Sequence, residues 1–292
     1  MKRLNKLGID SADAYDACIN GIDDPALAER FKAARAEVIA TFKEYDLLAS
    51  RHELFSLKSS NWGQDTQQVL GGMTKKEFVD LYSTHMVDKM PGRTYYDRLM
   101  MLAPLGKCPF CGFGQVSTLD HFLSKSRYPA VSVLCSNLIP SCTDCNKGKG
   151  APVVTRDTQI LHPYFEEGII ETEPWLFAEV IESAPATIRY FVQSPDSWPK
   201  QLTQRVTNSF HDLNLAQRFG VEAATELSEL GELLDELGTK EIRQAHLSTV
   251  ARVERKNRKN SWKAALYEAL AKSAWFVGDG YRKPAEQIQA PA

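Results

Sequence analysis

Four of the six cysteines occur as two C-x-x-C pairs, a spacing that is typical of a zinc site. The pairs are Cys108-Pro-Phe-Cys111 and Cys142-Thr-Asp-Cys145. Two residues between the thiols let both sulfurs of a tight turn face one ion, so two such turns complete a tetrahedral set of ligands. A closed set of four thiolates leaves no open position for catalysis, and we therefore predict a structural Zn²⁺. The remaining thiols, Cys18 and Cys135, are interpreted as buried apolar residues.

Thirty residues separate the two pairs, more than a simple zinc ribbon needs, and they contain Asp120 and His121 side by side. An imidazole has a pKa near neutrality and is the natural general base. Neighbouring residues of a strand point to opposite faces, so Asp120 can bind a divalent cation while His121 addresses a water. Asn146 directly follows the last cysteine, and its amide oxygen is a hard ligand suited to Mg²⁺. These groups suit phosphodiester hydrolysis, which needs an activated water and charge neutralisation at phosphorus.

The chain carries C-x-x-C, D-H, N-L and C-x-x-C-N-x-x-K in that order, followed by ILHPYF. This order, over roughly residues 105–165, resembles the zinc-stapled HNH endonucleases, which are built on a ββα-metal finger. The resemblance implies that His121 is the general base and that Asp120 and Asn146 hold a catalytic Mg²⁺ or Mn²⁺. It also implies that Asn137 holds the intervening loop by hydrogen bonds. Many family members carry histidine where this chain has Asn146, and the exchange favours metals that prefer oxygen ligands.

Basic residues concentrate around this motif although the net charge of the chain is −2. Lys147 and Lys149, just after Asn146, are candidate contacts to backbone phosphates, and Lys125 and Arg127 are weaker candidates of the same kind. Each of them is alternatively an ordinary solvated residue. His162 lies in the apolar context His-Pro-Tyr-Phe, so it is either a core histidine or a residue that supports the metal site from behind. The basic stretch 252–263 is interpreted equally well as a nucleic-acid stripe along one helix face or as a solvated charge run.

The elements that must position these residues are mainly helices, because apolar residues recur at helical spacing on both sides of the motif. Asp24-Pro25 predicts one helix start, after which apolar residues recur at helical spacing as far as Tyr45. A capping box at Thr74 and Glu77 predicts another helix, which runs over 74–89. Two apolar runs within 174–193 predict a pair of strands.

We expect an α+β, predominantly helical fold in which a ββα-metal HNH core with a four-cysteine zinc site lies between helical regions. Its predicted parts are given in chain order: a helical N-terminal region (1–103), the zinc-bound nuclease core (104–165), a connector that contains a β-hairpin (166–208) and a helical C-terminal region (209–292).

The composition is that of an ordinary soluble globular protein, with 43% hydrophobic and 25% charged residues. The first residues lack the apolar run of a signal peptide, and no apolar stretch is long enough to span a bilayer. We therefore expect a cytoplasmic protein without a membrane partner. In that compartment structural disulfides are rare, which again favours zinc.

The leading hypothesis is a metal-dependent HNH endonuclease that nicks DNA. Its motif style resembles effectors of phage-defence systems, which implies an antiviral role and a protein partner such as an ATPase. Two alternatives stay open: a non-catalytic zinc module that binds nucleic acid or a partner protein, and an RNA-directed nuclease toxin. The sequence leaves the target and the oligomeric state undetermined.

Overall fold

The computed structural model describes residues 1–5 and 8–282. The chain divides into two compact units, Lys2–Glu167 and a second unit from Gly168 onward. Helices hold about 52% of the described residues, and the described strands form small two-stranded sheets. The predicted mixture of many helices with short strands is therefore confirmed. No helix of the described ranges is long and apolar enough to cross a membrane.

The N-terminal unit begins with helices and ends with the short elements around the cysteines. Its elements are α1 (Ser11–Asn20), α2 (Pro25–Ala33), α3 (Arg35–Ser50), β1 (Gln68–Leu70), β2 (Met73–Thr74), α4 (Lys75–Ser83), α5 (Arg93–Met100), β3 (Thr118–His121), β4 (Leu138–Ser141) and α6 (Thr143–Lys149).

Two of the predicted helix starts are confirmed by their side-chain caps. The Asp24 carboxylate accepts from the backbone N–H of Ala26 at 2.9 Å. Thr74 and Glu77 form the complete capping box at the start of α4. Each cap satisfies backbone donors that a helix start would otherwise leave without a partner.

The prediction that this helix continues to residue 89 is wrong, because α4 ends at Ser83. The chain folds back over the carbonyl of His85, and Gly92 lies against it: a Cβ at Gly92 would stand 2.1 Å from that oxygen. This close approach requires turns where the sequence pattern indicated two further helical turns.

Aromatic side chains from the first helices form the core of the N-terminal unit. Tyr15 meets Phe31 and Phe42 edge to face, with ring centroids 6.4 and 6.1 Å apart. Phe31 meets Phe78 of α4 in the same way at 5.4 Å. Edge-to-face pairs of this kind add specificity to apolar burial, and here they fix α1, α2, α3 and α4 as one support.

The C-terminal unit contains one β-hairpin and a set of helices. Its elements are α7 (Ile169–Thr172), β5 (Leu176–Ile181), β6 (Thr187–Val192), α8 (Lys200–Asp212), α9 (Leu215–Glu236), α10 (Lys240–Asn257), α11 (Trp262–Lys272) and α12 (Ala274–Gly278). The predicted pair of strands within 174–193 is confirmed as the antiparallel hairpin β5–β6.

The buried amide of Asn260 anchors this hairpin. Its Oδ1 accepts from the backbone N–H groups of Trp175 and Leu176 at 2.9 and 3.2 Å. Its Nδ2 donates to the carbonyls of Ile170 and Glu173 at 3.0 and 2.8 Å. A single side chain therefore satisfies four backbone groups from α7 to the start of β5, where a buried group left unpaired would cost stability.

Candidate active site

The four cysteines of the two C-x-x-C pairs come together as one buried cluster. Their Sγ atoms all lie within 4.8 Å of one another. Cys142 stands at the N-cap of α6 and Cys145 lies inside that helix. Gly114 closes the other side, since a Cβ there would stand 2.9 Å from the Cys142 Sγ. The cluster can bind a metal such as zinc, as predicted, and the space for its sulfurs depends on a glycine.

A hairpin and a helix follow the first cysteine pair in the order β3, β4, α6. The two strands are antiparallel, with Asp120 opposite Ile139 and His121 opposite Leu138. Helix α6 begins directly after β4 and packs against β3. The cysteine cluster thus ties the start of the helix to the turn that precedes the hairpin.

Asp120 lies on the side of β3 that faces α6, and Lys149 at the end of that helix contacts it. The Lys149 Nζ is 2.6 Å from the Asp120 Oδ2, 2.6 Å from the carbonyl oxygen of His121 and 3.1 Å from that of Phe122. Three acceptors match the three N–H donors of an ammonium group. The side chain of Lys149 is only 9% exposed, so the predicted phosphate contact is replaced in this structure by an internal ion pair.

Burial and this ion pair act in opposite directions on the Asp120 carboxyl. Burial raises the pKa of Asp120 to about 6, and the Lys149 ammonium partly offsets that rise. A carboxylate out of water disfavours its charged form unless a cation lies beside it. Asp120 therefore stands in a position that requires a positive charge.

His121 lies on the opposite side of β3 and is 8% exposed. Its Nε2 is 2.8 Å from the carbonyl oxygen of Ser132, and the ring of Tyr82 packs edge to face at 4.3 Å. A carbonyl only accepts, so Nε2 carries the proton and Nδ1 keeps the lone pair that a base needs. Burial, and after it the charge of Lys125, lowers the pKa of His121 to about 3. The imidazole is therefore neutral at ordinary pH.

The fully buried Asn137 holds both ends of the loop between the strands. Its Oδ1 accepts from the backbone N–H of Leu123 at 2.7 Å, and its Nδ2 donates to the carbonyls of Leu123 and Val131 at 3.0 and 3.1 Å. Val131 directly precedes Ser132, whose carbonyl contacts His121. Asn137 thus fixes the backbone that orients the imidazole.

A second hydrogen-bond chain reaches Asn137 from behind. The backbone N–H of Tyr164 donates to His162 Nδ1 at 3.3 Å, and His162 Nε2 lies 3.1 Å from the Tyr45 hydroxyl. That hydroxyl donates to the Asn137 Oδ1 at 3.0 Å. Since Nδ1 accepts, Nε2 carries the proton, and all three bonds point the same way. The His162 ring also stacks on Phe122 with centroids 3.9 Å apart.

Asn146 lies within α6, half-buried, one helical turn before Lys149. Its Nδ2 is 3.4 Å from the Thr118 hydroxyl, and Thr118 lies two residues before Asp120 on the same side of β3. The structure therefore brings Asn146, Asp120 and Lys149 to the same face of the hairpin, and it places His121 on the other.

The remaining predicted phosphate contacts differ in exposure. Lys147 is exposed on α6. The Lys125 Nζ donates to the Ser83 hydroxyl at 2.8 Å and lies 4.7 Å from the centre of the Tyr82 ring, and burial lowers the pKa of Lys125. Arg127 is half-buried. Of these three, Lys147 is the one presented to solvent.

Sequence reasoning missed two residues of this site. Tyr45 entered the pattern of α3 only as an apolar position, which says nothing of its hydroxyl. Ser141 is fully buried on β4 opposite Thr118, and its Oγ has no hydrogen-bond partner among the described residues. Directly paired residues share one face of a hairpin, so this hydroxyl lies on the same side as Asp120. No motif or spacing in the sequence pointed to it.

Comparison with known proteins finds a relative that matches nearly the whole chain. Protein ea31 of Escherichia phage lambda is 31% identical to this chain over 296 residues, which cover 94% of this chain and 99% of that protein. No family model matches the sequence, and no solved structure matches.

Proposed function

The chain belongs to the family of protein ea31 of phage lambda, and for this member we propose the activity of a metal-dependent HNH endonuclease that nicks DNA. The observation that supports this most is the placement of Asp120 and His121 on opposite faces of one strand. The order β3, β4, α6 around a four-cysteine cluster is the arrangement that the motif resemblance implies.

The face that carries Asp120 suits a divalent cation. The Asp120 carboxylate and two backbone carbonyls already hold a positive charge, that of the Lys149 ammonium. Carboxylate, carbonyl and amide oxygens are the ligands that Mg²⁺ and Mn²⁺ prefer. Asp120 and Asn146 would hold the ion, and it would supply charge neutralisation at the phosphate and at the departing oxygen.

We expect a divalent cation at this position to displace Lys149 from Asp120, because the ion would compete for the same carboxylate oxygen and repel the ammonium group. The freed ammonium is then available to a phosphate, which reconciles its buried position with the contact expected from the sequence.

His121 would take the proton of the attacking water at Nδ1. The Ser132 carbonyl accepts from the Nε2–H and fixes the tautomer, and the hydrogen bond from Asn137 to the neighbouring Val131 carbonyl holds this stretch of backbone in place. The imidazole is neutral before reaction, so its lone pair is available to accept the proton. Its pKa in the folded protein is about 3 and not near neutrality as the sequence predicted, so burial makes it a weaker base than a solvated imidazole.

Burial of both residues is the observation that favours a second candidate, a non-catalytic zinc module. Asp120 is 3% and His121 8% exposed, and in such a module the Lys149 pair would be permanent. The two candidates differ in whether the chain cleaves nucleic acid at all.

The experiment is a supercoiled-plasmid assay with the zinc-loaded full chain in Mg²⁺, in Mn²⁺ and without added divalent cation. Matched DNA and RNA oligonucleotides in single- and double-stranded form extend it. We expect nicked circles with either cation and none without. Cleavage of RNA alone would favour the RNA-directed toxin, and no cleavage of any substrate would favour the zinc module.

The resemblance extends the proposal to an antiviral role, with a protein partner such as an ATPase. Counting phage plaques on cells that express the chain or its His121→Ala variant tests that role. We expect protection only with the unaltered chain, and equal plaque counts would exclude nuclease-dependent defence.

A further inference from the structure

The outward face of the hairpin β5–β6 carries two phenylalanine rings side by side. Phe177 is directly opposite Phe191, and their rings lie nearly parallel, with centroids 6.0 Å apart and planes 26° from each other. Both side chains are half-buried, whereas Leu176 and Tyr190 on the other face are buried in the unit. A sheet face with two neighbouring, partly exposed rings is a platform on which flat groups can stack.

A basic groove adjoins this platform. Its volume is about 370 Å³, and it is lined by Pro174, Phe177, Ala251, Arg252, Arg255, Lys259 and Glu268. The groove combines three cationic side chains with one carboxylate, so its balance is positive. Further basic residues, Lys256 and Arg258, are exposed at the end of α10 beside it.

Two of the acidic groups of this surface are held in ion pairs. Glu268 accepts from Arg255 at 2.7 Å and from Lys272 at 2.6 Å. Glu179 on the hairpin face is paired with Arg189. The positive charge of Arg252, Lys256 and Lys259 is therefore the part of this surface left to attract a partner.

Arg255 has an internal role. Its guanidinium contacts the carbonyls of Leu176 and Lys259 as well as Glu268, and it lies 5.5 Å from the centre of the Phe177 ring. It fixes the edge of the hairpin against the turn after α10. The expectation that residues 252–263 form one helix stripe is corrected here, because α10 ends at Asn257 and Lys263 is paired with Glu226.

We propose that this surface of the C-terminal unit binds single-stranded nucleic acid. Bases stack on Phe191 and the free part of Phe177, while Arg252, Lys256 and Lys259 contact the backbone phosphates. Stacked aromatic side chains along a positive groove are the combination that single strands require. The bases of a duplex stack on one another, so their faces are not available for stacking on the two phenylalanine rings. The residues of this surface belong to the C-terminal unit, whereas the cysteine cluster and Asp120 belong to the N-terminal unit.

Binding is measured with the full-length His121→Ala chain, to avoid cleavage, by fluorescence anisotropy of labelled 20-nucleotide oligo-dT and of a hairpin duplex. We expect a preference for the single strand. Phe191→Leu keeps an apolar side chain but removes the ring, and it should weaken binding about tenfold. Phe191→Tyr should bind like the parent.

The contribution of the positive charges is tested with a double variant, Arg252→Gln with Lys256→Gln. Lys240→Gln, at the exposed start of the same helix, is the control. The double variant should lower the slope of log affinity against log salt by about 1.4, since each phosphate contact on a single strand contributes about 0.7. The control should keep the parent slope.

Equal affinity of Phe191→Leu and its parent, or a duplex bound as tightly as oligo-dT, would overturn the inference. Because binding is read in a chain without His121, failure of the nuclease assay leaves this result intact, and the two proposals fail separately.

Discussion

The ammonium of Lys149 lies 2.6 Å from the Asp120 carboxylate, on the face of β3 where we place the catalytic cation. These residues are 29 positions apart in the chain, and both are nearly inaccessible to solvent. The protein therefore carries its own counter-ion at the proposed metal site. Metal binding and the stability of the metal-free protein are coupled through this one contact.

Lys149→Met tests that coupling. Without divalent cation the variant leaves Asp120 buried beside no positive charge, and we expect a loss of about 3 kcal/mol in the free energy of unfolding. Mn²⁺ should restore part of it, because the ion no longer competes with the ammonium. The readout is the rise of Tm with Mn²⁺ at pH 8, expected to be larger in the variant than in the parent. Lys147→Met, two residues away and exposed, is the control, and an equal rise in all three proteins would exclude the competition.

The neutral state of His121 predicts acid sensitivity. The pKa of His121 is lowered to about 3 in the folded protein, against about 6.5 when unfolded. A base with a depressed pKa contributes its full stability above pH 6.5 and loses it as the pH falls toward 3. Between pH 7.5 and 5 we expect a loss of about 2 kcal/mol from this residue.

Urea unfolding at pH 7.5 and pH 5 measures this effect by difference. His121→Gln cannot become charged, so its loss of stability should be smaller than that of the parent by about 2 kcal/mol. Asp120, with its raised pKa, shifts both proteins in the opposite direction and cancels in the comparison. His211→Gln, whose side chain is 88% exposed, should behave like the parent. Equal losses in the free energy of unfolding for the parent and His121→Gln would show that the folded protein does not keep the imidazole neutral.

The hydroxyl of Tyr45 links His162 to Asn137, and Tyr45→Phe removes it. We expect a loss of about 1–3 kcal/mol, because buried partners are left unsatisfied, together with a fall in nicking rate as the loop around Ser132 loosens. Tyr15→Phe is the matched control, since that buried hydroxyl donates to the carbonyl of Phe31 at 2.9 Å. It should lose similar stability and keep the rate. An unchanged nicking rate in Tyr45→Phe would show that the hydrogen bonds from His162 to Asn137 only stabilise the fold.

Gly114→Ala tests the cysteine cluster without removing a ligand. The added Cβ would stand 2.9 Å from the Cys142 Sγ and 3.0 Å from its Cβ, so the sulfurs must move apart. We expect faster zinc release to a chromogenic chelator and a lower Tm, because zinc-binding energy is folding energy at such sites. Gly220→Ala, where a Cβ meets nothing within 4 Å, should release zinc at the parent rate. Parent-like release from Gly114→Ala would contradict a metal held by this cluster.

Local sequence patterns predicted several of these features. The two C-x-x-C spacings predicted the cluster, because a short turn fixes the distance between its sulfurs. Thr74 and Glu77 predicted their helix start, since a capping box depends on residues only three positions apart. Two apolar runs with strand character predicted β5 and β6. Each of these signals is local.

The contacts that orient the site are not local, and the sequence could not supply them. The Tyr45 hydroxyl contacts Asn137, which is 92 positions away in the chain. The helical spacing of apolar residues predicts only that the Tyr45 side chain is buried. Lys149 looked like a surface residue because lysines usually are. The end of α4 at Ser83 depended on the approach of Gly92 to His85, which no propensity describes.

The most direct measurement of the central proposal is the rate of plasmid nicking by His121→Ala at equal zinc content per chain. We predict a loss of a hundredfold or more, the usual contribution of a general base, while His211→Ala keeps the parent rate. A His121→Ala chain that nicks as fast as the parent would contradict the assignment of His121 as the base.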